Sequence, residues 1–321
     1  MHAAVVRSFS APPRYETFDT PQPSGDHQVM VRVLAAGLHP RVRSQAGNSH
    51  YTSTGDLPLI PGIDGVGRLP GGQLAYFVLP DTTIGTMAEQ TIIDVRRSVE
   101  LPGDADPVLI AAAMNPAMSS WIALRRRISF RPGQKIMILG ATGSAGQMAV
   151  QIARYLGASQ VIAAGRDQRR LDQLPALGAD VIISLAGDPG PANARLGAAA
   201  ADADVVIDYL WGQPAADAIT ALLTRRPDRS VALTWIQIGA VAGRTAPLES
   251  AALRSANLTV TGSGQGSVST ADILAELPAL AREITAGTFT VHARAVPLSQ
   301  VETIWTAPAD PGERIVLTPA S

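Results

Sequence analysis

Residues 138–150 read ILGATGSAGQMAV. An apolar run, beginning with KIMIL at Lys135, stops at a glycine-rich turn, and the residues after the turn have helical spacing. Met148, Ala149, Ile152, Ala153 and Leu156 fall on one helical face, with Gln147, Gln151 and Arg154 opposite. A helix entered straight from a strand leaves its first amides without carbonyl partners, and such a terminus attracts anions. Set against the dinucleotide-binding fingerprint, the turn is Ala141-x-Gly143-x-x-Gly146, with alanine where the first glycine is usual. Gly143 lets the backbone approach a pyrophosphate, and Gly146 lets the helix pack close to the strand. Ala141 and Thr142 shape the turn, while amides near Ser144 and Ala145 bind the phosphates. Glycine-rich strand-to-helix turns also occur without ligands; the strand before and the amphipathic helix after are what favour nucleotide binding.

The second strand, QVIAAG from Gln160, decides which dinucleotide. A protein that selects NAD places Asp or Glu near the end of this strand to take the ribose hydroxyls. Here the chain reads Ala163, Ala164, Gly165, Arg166, with Arg169 and Arg170 behind. Small residues leave room for a 2′-phosphate, and an arginine can pair with it bidentately. Asp167 is better explained as the cap of the next helix. NADPH is the expected cofactor.

Working outward, strand–helix alternation runs from about Pro116 to Gly262, through VIIS, VVIDYL, SVALTWIQIG and LTVTG. That rhythm means a doubly wound parallel sheet. The first 110 or so residues read instead as short strands broken by Gly and Pro, QVMVRVLAAG (28–37) among them. The tail gives a helix ended by Gly287, then strand, short helix, strand. The expected organisation is a β-rich unit, residues 1–115 and 264–321, around a Rossmann unit, 116–263.

Composition narrows the rest. With 321 residues, 46% hydrophobic and 17% charged, the chain has ample core material. A formal net charge of −1 shows no footprint for nucleic acid or an anionic membrane. Lys135 is the sole lysine among 26 basic residues, so lysine chemistry would have to use a strand residue. No cysteine is present, which excludes disulfides and thiolate metal sites. The first residues lack the pattern of a signal peptide and no apolar run reads as a membrane span, so a cytoplasmic location is expected.

Taken together these stretches resemble the medium-chain dehydrogenase/reductase superfamily, in its zinc-free quinone oxidoreductase branch. AAGLHPRVRSQAG, LPLIPGIDGVG, GTMAEQTII, FRPGQKIMILGATGSAGQMAVQIARYLGA and GTFTVHARAVPLSQVETIW carry the likeness nearly end to end. The resemblance implies an α/β protein with a GroES-like domain built from both chain ends, a Rossmann domain inserted between them, and an active site in the cleft. Zinc-dependent members hold their catalytic metal with Cys, His and Cys. The matching positions are His39, Ile63 and Asn115, of which one could ligate, and three are needed. No metal is expected.

Against the family motif, His39 takes the place of a common Asn, and Val42 that of an Asp. An imidazole there could donate to substrate oxygen or protonate a carbanion; it could equally be a core or surface histidine. Tyr51 lies near the place where enoyl-thioester reductases of the superfamily carry a proton-donating tyrosine, and His50 competes with it. Ser119 takes the position of a threonine that contacts the nicotinamide end of the cofactor; Asn115 lies just before it, and N-capping of the run WIALRRR is the plain alternative. Ile238 and Gly239, after the fifth strand, back the nicotinamide. The expected activity is NADPH-dependent, zinc-independent hydride transfer to a small quinone or conjugated enone. The alternatives are an enoyl-thioester or other α,β-unsaturated carbonyl reductase of a biosynthetic pathway, and a non-enzymatic NADPH-binding sensor. The resemblance also implies a homodimer, with LTVTG as the candidate edge strand. The loops Ser44–Asp56 and Leu69–Ile84 depart most from the family pattern.

Overall fold

The computed structural model describes residues 1–50, 52–307 and 312–320. In chain order the first elements are β1 (His2–Val5), β2 (Arg14–Thr17), β3 (Gln28–Gly37), α1 (Pro40–Ala46), β4 (Asp64–Arg68), β5 (Leu74–Val78), β6 (Gln90–Asp94), β7 (Ser98–Glu100) and α2 (Pro107–Ile122). Then come β8 (Lys135–Leu139), α3 (Ser144–Tyr155), β9 (Gln160–Gly165), α4 (Gln168–Leu171), β10 (Val181–Ser184), α5 (Pro189–Ala199), β11 (Val205–Asp208), α6 (Gly212–Arg225), β12 (Leu233–Gln237), α7 (Ser250–Ser255) and β13 (Leu258–Gly262). The chain closes with α8 (Thr270–Thr285), β14 (His292–Pro297), α9 (Val301–Thr306) and β15 (Glu313–Thr318).

Two compact units result, Met1–Asn115 with Leu274–Ser321, and Pro116–Ile273. The second division falls inside α8, ten residues beyond the position read from the sequence, because the first turn of that helix stays with the parallel-sheet unit.

The inserted unit is a six-stranded sheet in the order β10-β9-β8-β11-β12-β13. Every pairing in it is parallel. Counted from β8, that order is 3-2-1-4-5-6, the doubly wound dinucleotide-binding topology, with its switch point between β8 and β11. The central strands are apolar almost throughout: Ile136 to Leu139 of β8 and Val205 to Asp208 of β11 are buried. That is what a strand covered on both faces requires. Met137, Ile162, Val206, Ile219, Leu222 and Trp235 belong to one buried cluster on one side of the sheet. Helix α5 is alanine-rich and buries Ala192, Leu196 and Gly197.

The other unit holds a seven-stranded sheet, β14-β15-β3-β4-β5-β7 with β6 on β3, and a β1-β2 ribbon. Its strands are antiparallel except for β14 with β15. Helix α1 interrupts what reads as a run of short strands: Pro40 occupies its first turn, where a missing N–H costs nothing.

Two further expectations are corrected. Gln151 is buried within α3, not solvent-facing. The stretch Pro107–Arg127, which continues α2 through a π-helical turn, reaches 21 residues and holds an 18-residue window of mean hydropathy 1.4, enough in length and composition for a membrane span. Two-thirds of that window (67%) is buried inside the protein, the placement of a core helix.

Candidate active site

The turn after β8 is built by three glycines with three separate reasons. Gly140 has φ +90°, a conformation that side chains disfavour, and both Gly140 and Ala141 donate their N–H to the Ala164 carbonyl at 2.9 Å. A Cβ on Gly146 would lie 2.6 Å from the Ala141 Cα and closer still to the Gly140 carbonyl, so α3 can approach β8 only with glycine there. Gly143 is different. Its φ is −77°, open to any residue, and the nearest atom to an added Cβ is 3.7 Å away. Nothing in the chain itself demands glycine at this position, which caps α3. Gln147 is the first amide of the helix to meet a carbonyl, that of Gly143 at 2.9 Å. The amides of Ser144, Ala145 and Gly146 are therefore the orphan donors of the terminus, where the helix dipole favours an anion. The space at Gly143 and these donors fit a pyrophosphate. Gly140 lies outside the fingerprint read from the sequence; the G-x-x-G-x-x-G spacing of 140, 143 and 146 is the signal that marks it.

At the end of β9, Gly165 packs on Thr142: an added Cβ would lie 2.5 Å from the Thr142 methyl. Asp167 caps α4 by accepting from the Arg170 N–H at 3.2 Å, as expected. Arg170 braces the turn: Nη1 donates to the Thr142 carbonyl at 3.2 Å, and Nε pairs with Asp167 at 3.4 Å. Arg166 is exposed and, among the described residues, makes no hydrogen bond or ion pair. Of the two arginines expected at a 2′-phosphate, Arg166 is thus uncommitted and Arg170 largely spent on the loop.

The carboxyl ends of β11 and β12 close the same unit. Asp208 is fully buried, with Oδ1 accepting from the Leu210 and Trp211 amides (2.8 and 3.0 Å) and Oδ2 from Trp235 Nε1 (3.0 Å). Burial raises its carboxyl above the ordinary value while these donors pull the other way. The turn it ties down holds Trp211 at φ +53°, an unfavourable conformation for a bulky residue. The amides of Ile238 and Gly239 both donate to the Asp208 carbonyl, at 2.8 and 3.1 Å. A Cβ on Gly239 would lie 2.6 Å from the Tyr209 carbonyl.

Ser119 does not cap a helix. It lies inside α2, where Oγ donates to the Pro116 carbonyl and meets the Tyr209 hydroxyl, each at 2.9 Å. Asn115 is also mid-helix and half-buried. Because α2 begins at Pro107, the capping alternative fails for both. Burial pushes the Tyr209 hydroxyl up to about 12.

In the β-rich unit His39 is 2% exposed. Its Nε2 lies 3.0 Å from Asp64 Oδ1, and Asp64 Oδ2 accepts the Tyr76 hydroxyl at 2.8 Å. Burial holds the imidazole below its ordinary value, against the pull of Asp64 and with the help of Arg314 and Arg41. A neutral ring that gives its proton to Asp64 through Nε2 keeps only a lone pair at Nδ1, which has no partner among the described residues. That geometry suits an acceptor, not the proton donor expected of His39. Nor does it suit zinc. Nε2 is bonded to Asp64, and Ile63 offers no donor atom. Among the described residues no three His, Asp or Glu converge as a metal-binding set.

Tyr51 lies outside the described residues. Its neighbour His50 takes the Thr52 N–H at Nδ1 (3.2 Å) and meets the Thr52 hydroxyl at 2.8 Å, so its proton sits on Nε2. Burial and Arg41 hold it below the ordinary value. Arg41 donates to Thr52 Oγ1 at 2.6 Å and pairs with Asp81, tying together the two loops that depart from the family pattern. These loops line a shallow hollow with Asn48, Ser53, Asp56, Asp81 and Thr82 on its walls.

Comparison with known proteins agrees with this architecture. Residues 145–282 match the zinc-binding dehydrogenase family. The chain is 30% identical, over an alignment of 362 residues covering 99% of it and 100% of the relative, to a protein of Emericella nidulans named probable NADPH-dependent quinone reductase tdiC. Over 50% of the chain and 49% of the relative it is 28% identical to the trans-enoyl reductase pgmF of Aspergillus terreus. The quinone oxidoreductase of Thermus thermophilus, solved also in complex with NADPH, superposes with a TM-score of 0.77 at 25% identity, covering 99% of this chain and 100% of that one. The parallel sheet with its glycine turn and the end-to-end match lead to one assignment: the chain belongs to the medium-chain dehydrogenase/reductase superfamily, in its quinone-oxidoreductase-like branch.

Proposed function

We propose that the protein is an NADPH-dependent reductase that delivers hydride to a quinone or a conjugated enone without zinc. The observation that carries this reading is Gly143. Its glycine is required neither by backbone conformation nor by neighbours, yet it stands at the N-terminus of α3 beside the switch point. A pyrophosphate is the group whose approach a side chain there would block. The full-length relative named as an NADPH-dependent quinone reductase supports the same cofactor.

Bound NADPH supplies the hydride. The chain's own residues bind and orient. The amides of Ser144, Ala145 and Gly146 hold phosphate oxygens, with Ala141 and Thr142 setting the turn. Gly165 lets the end of β9 pack on Thr142 and Arg166 pairs with the 2′-phosphate, while Arg170 keeps the Thr142 carbonyl in place. Ile238 and Gly239 back the nicotinamide, and Ser119, with Asn115 beside it on α2, meets its carboxamide end. Quinones and enones need little polarisation, since hydride addition leaves charge delocalised onto oxygen. A proton then completes the product: hydroquinone from a quinone, saturated ketone from an enone. Tyr51 or His50 places that proton or a hydrogen bond on the oxygen, and His39 contributes an accepting nitrogen. We also propose a homodimer paired through β13, an edge strand of its sheet.

A second reading, reduction of an enoyl thioester, is favoured by the match to a trans-enoyl reductase over half the chain. One assay separates them: NADPH oxidation against quinones, enones and an enoyl thioester, with EDTA present and zinc measured by elemental analysis. Turnover in the chelator with quinone or enone is expected. Turnover with the thioester alone moves the assignment to the second reading. Bound stoichiometric zinc whose removal abolishes turnover, or NADPH binding with no turnover of any acceptor, overturns the proposal.

A further inference from the structure

Tyr209 follows the last residue of β11 and is 8% exposed. A buried hydroxyl needs an acceptor. It reaches Ser119 Oγ at 2.9 Å and also hydrogen-bonds Ser120. Both serines turn their own protons back into α2: Ser119 to the Pro116 carbonyl at 2.9 Å, Ser120 to the Ala117 carbonyl at 3.4 Å. A serine has one proton to give, so the direction runs from Tyr209 to serine to helix carbonyl. With the Ser119 proton on the Pro116 carbonyl, the Tyr209 hydroxyl is the donor of the contact between them. Gly239 keeps the tyrosine there, because any side chain at that position would strike its backbone. The half-buried Ser119 oxygen is left with a lone pair and no proton to offer.

We propose that Tyr209 is a positioning residue that makes Ser119 a hydrogen-bond acceptor for the amide N–H of the nicotinamide carboxamide. The inference rests on the cofactor reading above and deepens it: the pocket selects a primary amide, not merely a nicotinamide-sized ring.

The test compares dissociation constants, by calorimetry, for NADPH and for its reduced 3-acetylpyridine analogue, whose methyl ketone has no N–H. Wild type is expected to favour NADPH by about 3- to 10-fold, one neutral hydrogen bond. Tyr209→Phe keeps the ring and its packing on Gly239, and Ser119→Ala removes the acceptor; both are expected to bring the ratio close to one. The ratio is independent of the fraction of each variant that folds. A wild-type ratio near one, or a Tyr209→Phe ratio equal to a wild-type preference, overturns the proposal, even where Ser119→Ala flattens it. Failure of wild type to bind NADPH at all is a different result and overturns the cofactor reading itself.

Discussion

Gly143 and Gly146 stand three residues apart in one turn, and the same substitution is expected to have opposite consequences at the two. At Gly146 an alanine Cβ would lie 2.6 Å from the Ala141 Cα, backbone that cannot swing aside. Overpacking of that kind costs roughly 1–3 kcal/mol, because α3 must back away from β8. At Gly143 the Cβ meets nothing within 3.7 Å and φ is already −77°. Replacing glycine there gains about 0.4–1 kcal/mol from the narrower unfolded ensemble. Alanine caps a helix less well than glycine, a loss of similar size, so the net change is within about 1 kcal/mol. Binding reverses the order. If a pyrophosphate approaches the Gly143 backbone, the methyl displaces one charged hydrogen bond, worth about 1.5–3 kcal/mol, or roughly 10- to 150-fold in the NADPH dissociation constant. Urea denaturation and calorimetric titration of Gly143→Ala and Gly146→Ala give both quantities. Gly143→Ala binding NADPH as tightly as wild type would show that the turn holds no phosphate. Gly143→Ala unfolding as easily as Gly146→Ala would show that its glycine serves the fold alone.

Arg166→Ala should weaken NADPH binding by roughly 1.5–3 kcal/mol and leave NADH nearly unchanged, since only the 2′-phosphate distinguishes the two; equal losses for both would refute the assignment. His39, held neutral by burial, should make stability fall as pH drops through about 6.5, where the unfolded chain takes up a proton that the folded site refuses. The loss should level off below the folded value. His39→Asn removes that component, so urea midpoints at pH 8 and pH 5.5 should differ less for the variant than for wild type, and an equal difference would remove His39 as the cause.

Local chemistry was legible along the chain wherever one residue type answers one local need. The apolar runs KIMIL, QVIAAG and VIIS became β8, β9 and β10 because strands in a sheet flanked by helices carry few polar positions to confuse the reading. Asp167 capped its helix and Gly287 ended α8 with φ +75° for equally local reasons. Helix α2 was not legible as far back as Pro107: it is apolar all round and carries Pro116 inside, so no periodic face announced it.

The sequence by itself determined the alternation of strands and helices from Lys135 to Gly262 and the glycine turn within it, since each follows from spacing within a few residues. Only the tertiary structure decided what depends on partners far away in the chain. Asp64, twenty-five residues from His39, accepts the hydrogen bond of the imidazole Nε2–H and leaves only the Nδ1 lone pair. Tyr209, ninety residues from Ser119, sets the direction of that serine's hydrogen bond. Arg170 lies twenty-eight residues from Thr142 and is drawn to its carbonyl, while Arg166 makes no hydrogen bond or ion pair among the described residues. A hydroxyl, an imidazole or a guanidinium has more than one way to satisfy itself, and which one it takes is settled by the neighbours that folding brings within about 3 Å.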